Sequence, residues 1–212
     1  MTATGHATPQ ESERIAALEA KLGRKTISCD EHLELALLQL EPCHDGFRAA
    51  ELLEEIIAAK PDHSLAKIWL AHCWIYEWMD EEALRNAVRL CNTLLDERVS
   101  VHLRSAALLL KASALRQLPD SDDPLALLLE SVRLAPDWIS NREMLAQVYQ
   151  ERGDRNAAAE QLRRALEVSR APHQVSSSYA EQMFKKRIAR RGGGRLTFKD
   201  LENRIRSLGT PE

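Results

Sequence analysis

The chain has 212 residues, of which 44% are hydrophobic and 29% charged, with a formal net charge of −3 at pH 7. That balance suits a folded globular chain with one sizeable core or a short repeat array, and it excludes a disordered one. Aromatics are scarce, and Ala, Leu, Glu and Arg dominate. These are strong helix formers, and Val and Ile never alternate over a strand's length, so an all-α fold is predicted.

The N-terminal stretch MTATGHATPQESERIAALEAKLG has no basic flank leading into an apolar run, so no secretory signal is expected. The most apolar run, IWLAHCWIYEWM at 68–79, is shorter than the roughly 20 residues that span a bilayer. Cys29, Cys43, Cys73 and Cys91 lack the dense spacing of a disulfide framework. They read as reduced thiols, which makes the expected location cytoplasmic. Charge is uneven: residues 173–212 carry nine Lys and Arg against four Asp and Glu, or +5. Residues 1–172 carry 20 against 28, or −8.

In chain order, Thr8-Pro9-Gln10-Glu11 is a capping box with proline at the first helical position, and Gly23 stops that helix. Residues 1–27 are thus predicted to hold an N-terminal helix. Ser28 with Glu31 opens the next. Residues 64–79 form a helix that is apolar almost all round, and such helices are usually enclosed. Within it Trp74 is predicted to be core. Asp80 is positioned to cap 81–96, Ser100 to cap 101–118, Asp123 to cap a short helix after Pro124, and Asp154 to cap the helix that follows it.

A spacing recurs along these helices. Leu145, Ala146, Tyr149, Ala158, Leu162 and Ala165 follow the pattern L-A-x2-Y-x8-A-x3-L-x2-A. The same gaps fall on Leu70, Ala71, Trp74, Ala83, Ala87 and Leu90, and on Ala36, Leu37, Leu40, Ala49, Leu53 and Ile56. A degenerate copy has Lys111, Ala112, Leu115, Pro124, Leu128 and Ser131, then Pro136. The small residues let paired helices approach closely, and the large ones fill the space between successive pairs. This resembles the tetratricopeptide repeat (TPR) family, whose unit of about 34 residues is a helix–turn–helix. The resemblance implies a helical-hairpin repeat array, a short right-handed superhelix, with four repeats in 28–172 (28–62, 63–97, 98–137 and 138–172). The second and third copies stand 41 residues apart. The seven extra residues equal about two helical turns, so longer helices are predicted near 97–104 rather than a loop.

In proteins of this family the concave face of the array, lined by first helices, holds peptides. Carried over by position, that face has Glu31, Glu34, Leu38 and Glu41 in the first copy, and Ile68, His72, Ile75 and Tyr76 in the second. The third supplies Leu109, Ser113 and Arg116, the fourth Glu143, Gln147, Gln150 and Glu151. An apolar and aromatic centre with acidic ends is implied. Family members that clamp the acidic C-termini of heat-shock chaperones use Lys, Asn and Arg at such places, so that docking is not expected. A basic or apolar peptide or helix of a protein partner suits the charge better. The aromatic patch of 68–79 has two readings, an open binding pocket at Ile68, His72 and Tyr76 or a patch covered by the same chain.

Residues 173–191 read as a capping helix with Tyr179, Met183, Phe184 and Ile188 on one side, covering the end of the array. Gly192-Gly193-Gly194 is a flexible break. An amphipathic tail helix follows in 192–212, with Phe198, Leu201, Ile205 and Leu208 on one stripe, Thr197 at its start and Gly209 at its end. A helix of about 11 residues is marginal alone. It needs a partner in its own chain, in a second copy, which would give a homo-oligomer, or in another protein. The basic arm Lys185, Lys186, Arg187, Arg190, Arg191 and Arg195 invites a nucleic-acid reading. Poor aromatic interleaving and an acidic body weigh against it, and no membrane contact is expected.

Cys29-x2-His32 with Cys43-His44 is the one metal-like constellation, and its spacing matches no familiar zinc site. No phosphate-cradling loop and no nucleophile–base pair is apparent, so no catalytic residue, metal or cofactor is assigned. The sequence therefore points to a non-enzymatic adaptor, scaffold or assembly chaperone. Its competitors are a regulator or RNA-associated protein acting through the basic arm and, weaker, a metal-dependent enzyme subunit.

Overall fold

The computed structural model of the protein describes residues 7–41, 43–119, 121–170 and 198–209. Among them every regular element is helical. The chain divides into two compact units, Met1–Leu90 and Cys91–Glu212.

In the first unit α1 (Pro9–Gly23) packs on α2 (Cys29–Leu40), α2 on α3 (Gly46–Ala59), and α3 on α4 (Ser64–Cys73). The start signals act as their chemistry dictates. The Thr8 hydroxyl accepts from the Glu11 amide at 3.2 Å while the Glu11 carboxylate accepts from the Thr8 amide at 2.8 Å. Ser28 and Glu31 repeat that reciprocal pair at α2. Asp45 caps α3 through the Arg48 amide. The small residues Ala36, Ala49 and Ala71 are fully buried beside Leu35, Leu40, Leu52 and Leu53. Their missing bulk permits the helix approach that the repeat spacing anticipates.

The run 64–79 is not one α-helix. At Trp74 it widens into a π-turn, Trp74–Trp78, closed by Met79 in the left-handed region at φ 59°. The core tryptophan is Trp69, which is fully buried, and Trp74 is only half-buried, against expectation. Enclosure is continuous over 66–73 and thins where the π-turn begins. Helix α5 (Glu81–Asp96), capped by the Asp80 carboxylate on the Ala83 amide, spans the division between the units.

In the second unit α6 (Val101–Leu115) packs on α7 (Leu125–Leu134), α7 on α8 (Ile139–Glu151), and α8 on α9 (Arg155–Arg170). Helix α10 (Phe198–Gly209) lies along α9. Ser100 and Asp154 cap α6 and α9 through the Leu103 and Ala157 amides. Asp123 accepts from the Leu125 amide at 3.1 Å. Helix α6 ends at Leu115, short of the expected 118, because the Gln117 and Leu118 amides bond three residues back to Ala114 and Leu115 and tighten the last turn. Gly153, at φ 79°, makes the left-handed turn between α8 and α9.

The seven additional residues are helical, but not at 97–100. Each connector from a second helix to the next first helix (60–63, 97–100 and 135–138) has the same four residues in length. Three helical residues follow Ile56 in α3, but six follow Leu90 in α5. Six precede Leu70 in α4, and ten precede Lys111 in α6. The insertion is thus split between the end of α5 and the start of α6.

Candidate partner-binding surface

In the first unit the acidic residues carried over onto α2 are already engaged. Arg14 of α1 donates to both carboxylate oxygens of Glu34, at 2.8 and 2.6 Å. Lys21 of α1 pairs with Glu31. The Lys21 ammonium and the Ser28 amide hold the Glu31 carboxyl down at about 2. This acidic end is therefore a seam between α1 and α2 rather than an open groove wall. Leu38 and Glu41 are half-buried on the same stretch. Ile68, His72 and Ile75 have between 0% and 1% of their surface exposed, so the aromatic centre is not an open pocket. The His72 ring lies 5.6 Å from Trp69 and 4.7 Å from Tyr76, centroid to centroid. Of that group Tyr76 alone is only partly buried.

In the second unit the residues carried over onto α6 and α8 do meet. The Arg116 guanidinium reaches from the end of α6 to three residues of α8. It donates from Nη1 to the Gln147 carbonyl at 3.3 Å and to the Met144 sulfur at 2.7 Å, and pairs through Nε and Nη2 with the Glu151 carboxylate, the Nε bond measuring 3.4 Å. Gln150 is exposed beside them. Leu109 and Ser113 are buried and belong to the core.

Glu143 departs furthest from expectation. It is 5% exposed, and among the described residues its Oε1 has no hydrogen-bond partner. Burial pushes its carboxyl up to about 7, against the pull of the Arg204 charge on α10. Ile205 and Leu208 of α10 pack with Tyr149 and Leu166 against Ala146, Ala158 and Leu162. The tail helix is thus docked on its own chain, on the signature residues of the last hairpin. Phe198 and Leu201 lie in the same helix. The predicted capping helix at 173–191, the glycine break and the basic arm Lys185, Lys186, Arg187, Arg190, Arg191 and Arg195 lie outside the described residues.

Sequence reasoning missed a buried polar network joining α6, α7 and α8. Ser105 and Ser131 exchange hydroxyl-to-carbonyl bonds at 3.0 and 2.9 Å. Asn141 Nδ2 donates to the Ser105 hydroxyl at 2.9 Å and to the Ser131 carbonyl at 3.1 Å. All three residues are 0% exposed. The available signal was serine standing where the repeat wants a small or apolar residue. Among the described residues no three His, Cys, Asp or Glu side chains converge as a metal site, and Cys29 and Cys43 are both exposed. No described helix is long and apolar enough to cross a membrane.

Helical hairpins built on small residues at fixed gaps give the chain a TPR-like helical-repeat fold. Solved structures agree on the fold. Residues 41 to the end of MamA from Desulfovibrio magneticus RS-1 superpose with a TM-score of 0.60 at 14% identity, covering 78% of this chain and 89% of that one. MamA of MSR-1 gives 0.54 at 20% identity, covering 76% and 87%. A thermophilic TPR protein of Thermus thermophilus gives 0.57 at 19% identity, covering 85% and 98%. No protein-family model and no curated protein matches the sequence.

Proposed function

We propose that the protein is a non-enzymatic interaction scaffold that holds a segment of a protein partner against its first helices, as an adaptor or assembly factor. The observation that carries this reading is the ridge on α6 and α8. Arg116 ties Met144, Gln147 and Glu151 of the neighbouring first helix into one surface of mixed charge. A continuous face built from successive repeats is how such arrays present side chains to a peptide. In the first unit Leu38, Glu41 and Tyr76 are the carried-over residues that keep exposed surface outside the ion-paired seam with α1. The fold likeness to TPR proteins supports a binding role, and the ridge's carboxylate and amide groups suit a basic or apolar segment.

The test is capture of partners from native lysate, identified by mass spectrometry, on the intact chain, Tyr76→Ala, Arg116→Ala and a truncation after Arg191. A protein captured by the intact chain and lost with Tyr76→Ala or Arg116→Ala is the expected result. Nucleic acid that co-purifies with the intact chain and is lost on truncation would overturn it and assign binding to the basic arm.

A further inference from the structure

The face of α8 and α9 beneath α10 belongs to the last hairpin among the described residues. Ala146, Ala158 and Leu162 there are buried, and in an interior hairpin a following one would cover this face. Here α10 takes that place with Ile205 and Leu208, both only partly buried. The fit is incomplete at one point. Glu143 keeps only 5% of its surface exposed, and among the described residues Oε1 is left without a donor. Arg204 acts on it through charge but makes no hydrogen bond to that oxygen. A buried carboxylate oxygen without a donor is costly, and a charged donor placed on it gains more than a neutral one would. The seat therefore asks for a cation that α10 does not fully supply.

We propose that this face is a docking seat for an amphipathic helix of a partner protein that carries a cationic residue beside its apolar stripe, and that α10 occupies it in cis as the competitor. The proposal rests on the protein-binding reading above and specifies the partner's chemistry at one end of the array. Helix α10 is the template for that chemistry: a basic residue at 204 directly before apolar Ile205, with Leu208 one turn on. A partner helix with the same stripe and a donor that reaches Glu143 Oε1 displaces it.

The probe is a fluorescent synthetic peptide of residues 195–212, standing in for the partner helix. It is titrated into the intact chain and into full-length Ile205→Asp/Leu208→Asp, which expels its own α10. The expelled variant should bind the peptide at least tenfold more tightly than the intact chain. A peptide bearing Arg204→Glu should lose at least fivefold, and Glu143→Lys in the protein should restore it. Hydrogen exchange on the intact chain gives a readout independent of the variants: amides of α10 should exchange at least tenfold faster than those of α9. Equal protection of α10 and α9, or equal peptide affinity for both proteins, would overturn the proposal. So would a folded variant that fails to bind the peptide. An intact-chain dimer dispersed by Ile205→Asp/Leu208→Asp would also overturn it, naming a second copy as the occupant. Loss of captured partner in Tyr76→Ala or Arg116→Ala would leave the scaffold reading standing in each case.

Discussion

Asn141 of α8 donates through Nδ2 to the hydroxyl of Ser105 on α6 at 2.9 Å, deep inside the second unit. The same amide reaches the Ser131 carbonyl of α7, so one side chain fastens three helices. Asn141→Leu would remove that donor from both acceptors, which keep their serine–serine bonds. A loss of about 0.5–1.5 kcal/mol is expected. Asn141→Asp should cost more, because it buries a charge and faces acceptors with acceptors. Urea melts followed by circular dichroism check both, and a loss below about 0.5 kcal/mol for either would show that the network contributes little.

Glu143 gives the fold a pH dependence of defined sign. Its carboxyl rises from an ordinary 4.5 to about 7 in the folded chain because burial disfavours the charge. The folded state thus binds the proton more tightly than the unfolded one. The cost of ionising it is absent below about 4.5, grows as pH rises, and is fully present above about 7. Glu143→Gln should therefore stabilise the protein above pH 7, by on the order of 3 kcal/mol at most, and make no difference near pH 4. Thermal midpoints of both proteins from about pH 4 to 8.5 measure this; parallel profiles would refute the assignment.

Gly46 stands at the first turn of α3 against the π-turn. An added Cβ would lie 2.8 Å from the Glu77 Cβ and 2.9 Å from its Cδ, so the two segments would have to separate. Gly46→Ala should destabilise by about 1–3 kcal/mol. Gly23, with nothing within 4 Å of such a Cβ, is the control. Gly23→Ala should be neutral or stabilising by up to about 1 kcal/mol. Equal midpoints for the two variants would contradict the contact.

The four cysteines should divide evenly in a thiol-labelling experiment on the native protein. Cys29 and Cys43 are exposed, and Cys73 and Cys91 are buried. Burial pushes the Cys91 thiol up to about 12, which leaves almost no thiolate. Partial burial and the nearby Asp45, Glu11 and Glu19 carboxylates raise the Cys43 thiol as well, so it should label more slowly than Cys29. Two equivalents should react before denaturant is added and two only after. Four fast equivalents would show that the cores open readily.

The sequence by itself determined whatever local chemistry controls. Ser28, Asp80, Ser100 and Asp154 start helices wherever they stand, because a side-chain oxygen beside unpaired amides needs no distant partner. Ala36, Ala49, Ala71, Ala146 and Ala158 mark close approach because their size is visible without knowing the neighbour. The hairpin repeat followed from those two signals. Tertiary structure alone decided which face of an apolar helix meets solvent. Ile68, His72, Ile75 and Leu109 fit a groove by position, and all are buried. Periodicity gives a residue's direction around its helix but not what lies there. The same limit hid the Asn141 network, which joins residues up to 36 positions apart. It also hid the seat of α10, since an amphipathic stripe demands a partner without naming one. Only packing chose Ala146, Ala158 and Leu162, the face of the last described hairpin on which Ile205 and Leu208 settle.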